Sequence, residues 1–131
     1  GVHLCRGNHQ SNWHREGSYD AIAEQLFNEL PYKRLLLEYD DARSGGFEPL
    51  RFVPKDKVVV LGLISTKIAR VETVEELRRR IDEAAQYIDV SQLALSPQCG
   101  FATTLTGNLL TEDDQWRKID VMLKTAQAVW G

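Results

Sequence analysis

His3, Cys5, Glu38 and Cys99 are the residues of this 131-residue chain whose types could together do chemistry. His3-Leu4-Cys5 sits in an apolar stretch, Glu38 closes the run Leu35-Leu36-Leu37, and Cys99 follows Leu93-Ala94-Leu95. An imidazole, two thiolates and a carboxylate make a zinc ligand set. On a strand, residues i and i+2 project to the same side, so His3 and Cys5 can serve one ion. Sites in parallel α/β folds gather at the carboxyl ends of strands, where Glu38 and Cys99 also fall. Three ligand charges against a dication keep the metal electron-rich, which suits holding a thiolate better than polarising a carbonyl. The expected acceptor is therefore a substrate thiol, ionised by coordination so that it attacks near neutral pH. The same residues also allow plainer roles. Cys5 and Cys99 can be buried structural thiols, or disulfide partners in a secreted protein, and Glu38 a helix cap or an ion-pair residue.

The elements that must position these residues are short. Four apolar runs read as strands: Val2–Cys5, Arg34–Glu38, Lys57–Leu63 and Gln92–Ser96. Val58-Val59-Val60-Leu61 is continuous and mostly β-branched, the pattern of a parallel strand buried on both faces. Helical spacing separates the strands. A first helix spans roughly Tyr19 to Leu30 and stops at Pro31, and a short one lies near Phe47–Phe52. From Val74 to Tyr87, Leu77, Ile81 and Ala84 or Ala85 share a face, with the capping box Thr73-x-x-Glu76 at the start. A last helix begins near Thr111 with Glu112, Asp113 and Asp114 against its positive end, and Ile119, Met122, Leu123, Ala126 and Val129 or Trp130 are expected inside. Strand ends near positions 5, 38, 65 and 99 recur roughly every 30 residues, the length of a βαβ unit. The expected fold is α/β: one unit over residues 1–131, made of four βα units around a parallel sheet. Four units can be a small open sheet or half of an eight-stranded barrel.

Composition excludes more than it assigns. At 43% hydrophobic and 27% charged the chain can bury a core. A net charge of -3 gives no case for nucleic acid or an anionic membrane. No run of about 18 apolar residues could span a bilayer, and no basic-then-apolar signal segment opens the chain. Two cysteines on that background favour reduced thiols and a cytoplasmic location. His9 and His14 read as solvated loop residues, Asp40-Asp41 as a solvated acidic loop, and Trp13, Trp116 and Trp130 as packing residues. Arg78-Arg79-Arg80 reads as a salt-bridged helix face.

Four segments, taken in order, carry a resemblance. His3-Leu4-Cys5-Arg6-Gly7-Asn8, Leu37-Glu38-Tyr39-Asp40, Leu61-Gly62-Leu63-Ile64-Ser65-Thr66-Lys67 and Leu95-Ser96-Pro97-Gln98-Cys99-Gly100-Phe101 resemble the cobalamin-independent methionine synthase family, especially its shorter, single-barrel members. The resemblance implies the C-terminal half of a (β/α)8 TIM barrel and zinc on His3, Cys5, Glu38 and Cys99. It implies methyl transfer from 5-methyltetrahydrofolate (polyglutamate) to homocysteine, giving methionine. Glu38 is then the labile ligand, and Ser65 and Lys67 are candidate substrate contacts. Lys67 stands where the classical enzymes carry a functional histidine. The same chemistry allows another thiol such as coenzyme M, and a purely structural zinc is the non-catalytic alternative. A half-barrel exposes its edge strands, so the expectation is a missing N-terminal half or a self-associated pair, with the 131 residues inactive alone.

Overall fold

The computed structural model describes residues 1–9, 12–13, 17–102 and 105–131. Its elements are β1 (Val2–Leu4), β2 (Asn8–His9), β3 (Asn12–Trp13), α1 (Ala23–Glu29), β4 (Arg34–Glu38), β5 (Val58–Ile64), α2 (Val74–Ala84), β6 (Leu93–Pro97) and α3 (Glu112–Trp130). Short 3-10 turns lie at Ala42–Ser44, Glu48–Phe52 and Val90–Gln92. The main sheet is parallel, in the order β1-β4-β5-β6, while β2 and β3 form a small antiparallel pair. The four expected strands and the helices between them are all present. The hairpin was not foreseen, and His14 lies outside the described residues.

Register decides which side chains meet. Val2, Leu35, Val59 and Leu93 pair across the sheet and join the core with Leu37, Leu61, Phe27, Leu77, Ile81 and Val121. One residue along, His3, Leu36, Val60 and Ala94 line the other face, where none of the four is fully buried. Helices cover one face of the sheet and leave the other open.

Where boundaries differ from expectation, backbone chemistry gives the reason. The α1 helix ends at Glu29 because Leu30, which precedes Pro31, is extended. The α2 helix starts on the expected Thr73–Glu76 capping box but ends at Ala84, with the following turn tightened into Gln86 N–H to Glu83 O and Tyr87 N–H to Ala84 O bonds. The α3 helix starts on a second box, Thr111 with Asp114, and its packing corrects the expected inner face. Lys118, Val121 and Thr125 are the buried residues, flanked by Met122 and Val129. Leu123 is 60% exposed and Trp116 62%, so Trp116 is not a packing residue. Lys118 reaches the core side because its ammonium finds Glu72 Oε2 at 3.0 Å and the Arg70 carbonyl. The Arg78–Arg80 face is salt-bridged as expected, with Arg80 2.7 Å from Glu83.

Candidate metal centre

Cys99 reaches the site through a glycine. The β5–β6 ladder is irregular between Gly62 and Ile64, and the Gln98 N–H donates to Ile64 O at 2.9 Å. A β-carbon on Gly62 would lie 2.8 Å from Gln98 Cα and 2.9 Å from Leu37 O, so only glycine lets the chain beyond β6 cross here. Gln98 is buried and donates from Nε2 to Thr66 Oγ1 at 2.9 Å. Cys99 follows it directly, pointing back over the sheet.

The structure brings His3, Cys5 and Cys99 together. Their donor atoms all lie within 4.8 Å of one another, with Cys99 Sγ 3.4 Å from His3 Nε2. His3 and Cys5 are exposed and Cys99 is half-buried, so these are not inert core thiols. Burial and then the neighbouring Cys5 push the Cys99 thiol well above its ordinary pKa. Donors on a tetrahedral zinc at ordinary bond lengths are about 3.5 Å apart, close to the observed sulfur–nitrogen separation. The donor set therefore fits zinc in both type and spacing.

Glu38 lies at the end of the neighbouring strand β4 but is grouped with Asp40 and Asp41 rather than with the three donors. Its Oε1 accepts from Arg43 Nη2 at 2.8 Å and from Lys67 Nζ at 3.0 Å, and its Oε2 accepts from the Arg6 N–H at 2.7 Å. Lys67 also reaches Asp40 at 2.8 Å and Asp41 at 3.1 Å. Arg43 meets Asp41 at 3.0 Å. The Glu38 and Arg43 side chains are each 1% exposed. Asp40-Asp41 is thus no solvated loop but part of a largely buried lattice in which Glu38, Asp40 and Asp41 meet Arg43 and Lys67.

The lattice shapes each charge. Burial pushes the Asp40 carboxyl up despite Lys67. For Asp41, burial is outweighed by Arg43 and Lys67, which hold its carboxyl below the usual range. Burial would lower Lys67, but Asp40 and Glu38 raise it. Ser65 is buried, with its N–H donating to Glu72 Oε1 at 3.0 Å and its hydroxyl accepting from the Lys67 N–H at 3.3 Å. A cleft of about 420 Å³, lined by Asp40, Asp41, Ser65, Lys67 and Arg70 among others, opens beside the lattice.

Tyr19 was not foreseen as a site residue. Its hydroxyl donates to Leu4 O at 2.9 Å and accepts from the Glu38 N–H at 3.0 Å, joining the ends of β1 and β4. The Arg6 guanidinium lies 4.4 Å over its ring. Arg6 and Arg43 were also unforeseen; the one signal in the sequence is that cations follow Cys5 and Glu38 closely.

A parallel βα sheet with His3, Cys5 and Cys99 gathered at its carboxyl end defines the class: an α/β domain with a metal-type donor cluster. The chain belongs to the cobalamin-independent synthase catalytic domain family, whose model matches residues 35–126. It is 52% identical over 130 residues to YxjG of Bacillus subtilis, an uncharacterized protein, with 98% of this chain and 34% of that one covered. It is 24% identical to the methionine synthase of Pyrococcus furiosus over 131 residues, 98% of this chain and 33% of that one. A Listeria monocytogenes crystal structure, assigned as a vitamin-B12-independent methionine synthase, superposes with a TM-score of 0.71 at 32% identity, covering 98% of this chain and 34% of that one. The chain thus spans about a third of the length of the curated relatives it matches. Among the described residues no helix is long and apolar enough to cross a membrane.

Proposed function

We propose that the chain carries the metal-bearing half of a methyltransferase barrel, which passes a methyl group from a methylated folate to homocysteine and yields methionine. Zinc held by His3, Cys5, Cys99 and Glu38 would supply one thing, a lowered pKa for a bound thiol. The observation that carries the reading is the meeting of His3 and Cys99. His3 lies on the edge strand β1 and Cys99 two residues beyond β6 at the other edge, in the segment that crosses back over Gly62. The sulfur–nitrogen distance of 3.4 Å gathers the donors over the carboxyl ends of the strands, where parallel βα folds place their sites.

The chain's own residues perform the rest. The β1 backbone aims His3 and Cys5 to one side, the Gly62 crossing brings Cys99 to them, and Tyr19 fixes the ends of β1 and β4. In the overall reaction the sulfur–carbon bond forms as the carbon–nitrogen bond of the donor breaks, and the released nitrogen takes a proton. The exposure of His3 and Cys5 supports an exchangeable site over a closed structural one. The open sheet face and the edges of β1 and β6 support completion of the barrel by an N-terminal half, or failing that a second copy, with methyl transfer dependent on it.

X-ray absorption at the zinc edge tests the proposal. Adding homocysteine is expected to raise the sulfur ligands from two to three. An unchanged shell would mean a structural metal and would overturn it.

A further inference from the structure

The last helix carries a second apolar stripe that its own domain leaves unused. Trp116, Ile119, Leu123, Ala126 and Trp130 recur at intervals of three and four residues, the spacing of a helix–helix seam. The stripe runs beside the inner face of Lys118, Val121 and Thr125, with Trp116 and Leu123 largely exposed and Trp130 37% exposed. The two indole N–H groups are bonded within the chain, Trp116 to Glu112 Oε1 at 3.2 Å and Trp130 to the Val90 carbonyl at 3.1 Å. What these rings offer outward is therefore apolar. At the other end of the sheet lies a groove of matching character. Ile22, Leu26 and Leu30 form one ridge along α1, four residues apart, and Leu4 of β1 lines the same groove. Two adjoining hollows of about 300 and about 290 Å³ share Ile22 and Leu26 and make it continuous. Ile22 is 53% exposed. β1 and β6 are the edges of the sheet, α1 follows the first and α3 the second, so groove and stripe sit at opposite ends of one molecule.

We propose that two copies of this chain pair about a two-fold axis parallel to the strands, the α3 stripe of each lying in the α1 groove of the other. Each copy supplies the convex apolar helix that the other's groove lacks, and the two contacts form together. The same rotation sets β6 of each copy beside β1 of its partner, satisfying edges that pair with no further strand among the described residues. Four strands from each copy make eight, the number at which a parallel βα sheet closes. A stripe, a groove and two strand edges per copy bring the contact to the scale of a stable pair, about 800 Å² a side. A net charge of -3 on each copy opposes their approach only weakly. The pairing needs no metal and stands or falls apart from the methyl-transfer reading.

Sedimentation equilibrium of the 131-residue chain tests the pairing, with an expected mass of twice 14.9 kDa at micromolar concentration. Leu123→Lys charges the stripe and Ile22→Glu charges the groove, both at exposed positions where the fold itself has room for them. Each variant alone is expected to raise the dissociation constant at least about tenfold, because both contacts then bury an unpaired charge. Mixing the two variants should restore the pair. The new ammonium of one then meets the new carboxylate of the other, and the second contact is wild type. Circular dichroism shows whether each variant is folded. Leu123→Ala, a milder change, should loosen the pair in the same direction and serves if a charge prevents folding. A wild-type chain that stays monomeric would overturn the proposal and leave both surfaces to an N-terminal barrel half. Wild-type pairing strength in Ile22→Glu would overturn it in favour of α3 packing on α3. Masses that keep growing beyond the pair would mean an open chain of copies and would overturn it likewise.

Discussion

Tyr19 shows how one hydroxyl can hold a site that it does not enter. It satisfies a half-buried carbonyl at the end of β1 and a buried amide at the end of β4. Removing it strands the two backbone groups and loosens His3 and Cys5 against Glu38. Tyr19→Phe is expected to cost about 1–3 kcal/mol in denaturant unfolding. It should also weaken metal binding, and an unchanged unfolding midpoint would show that water replaces the hydroxyl. At this scale the sequence was half legible. His3, Cys5 and Cys99 stood out because thiols and imidazoles are rare and their placement at strand ends is informative. Arg6, Arg43 and the structural part of Lys67 did not stand out, because an ion pair formed through the fold leaves no periodicity in the chain.

At the scale of elements, Gly62 carries the sharpest constraint. Its missing side chain makes room for Gln98 and so for the approach of Cys99. Gly62→Ala is expected to destabilise the domain by about 1–3 kcal/mol through overpacking. Unlike a remote core substitution, it should also reduce metal affinity, measured by chelator competition. The strands and the start of α2 were readable because continuous β-branched runs and a capping box are local signals. The buried face of α3 was not, because this helix carries two candidate apolar stripes. Lys118 and Thr125 claim the inside by finding a carboxylate, a carbonyl and the helix's own Val121 carbonyl, which no hydropathy pattern reports.

For the whole molecule, acid should be the main electrostatic stress. Asp41, held down by Arg43 and Lys67 against its burial, has a folded pKa below its unfolded value. Glu76 and Asp114, bonded first by the Thr73 and Thr111 amides, behave alike. Their stabilisation is complete above about pH 4–4.5 and is lost as pH falls through the lower folded values. Asp40, raised by burial, has the opposite sign but is one carboxyl against five, since Lys33 lowers Asp56 and Ser91 lowers Asp89 as well. The melting temperature is expected to hold from pH 7 to about 5 and to fall steadily below about 4. Asp41→Asn should flatten part of that fall, and a melting temperature indifferent to acid would show that the lattice is not ionised as described.

The meeting of residue 3 with residue 99 also fixes an order of events in time. Pairing distant segments into a parallel sheet is slow, because the loop-closure entropy of each connection must be overcome before the contacts reward it. His3 and Cys5 belong to one edge of the sheet and Cys99 to the segment beyond the other, and two strands have to be in register between them. The three donors therefore converge only when the last strand docks. A metal taken by these donors would be captured at the end of folding rather than seed it, because a chain caught part-way has the thiols but nowhere to put them together.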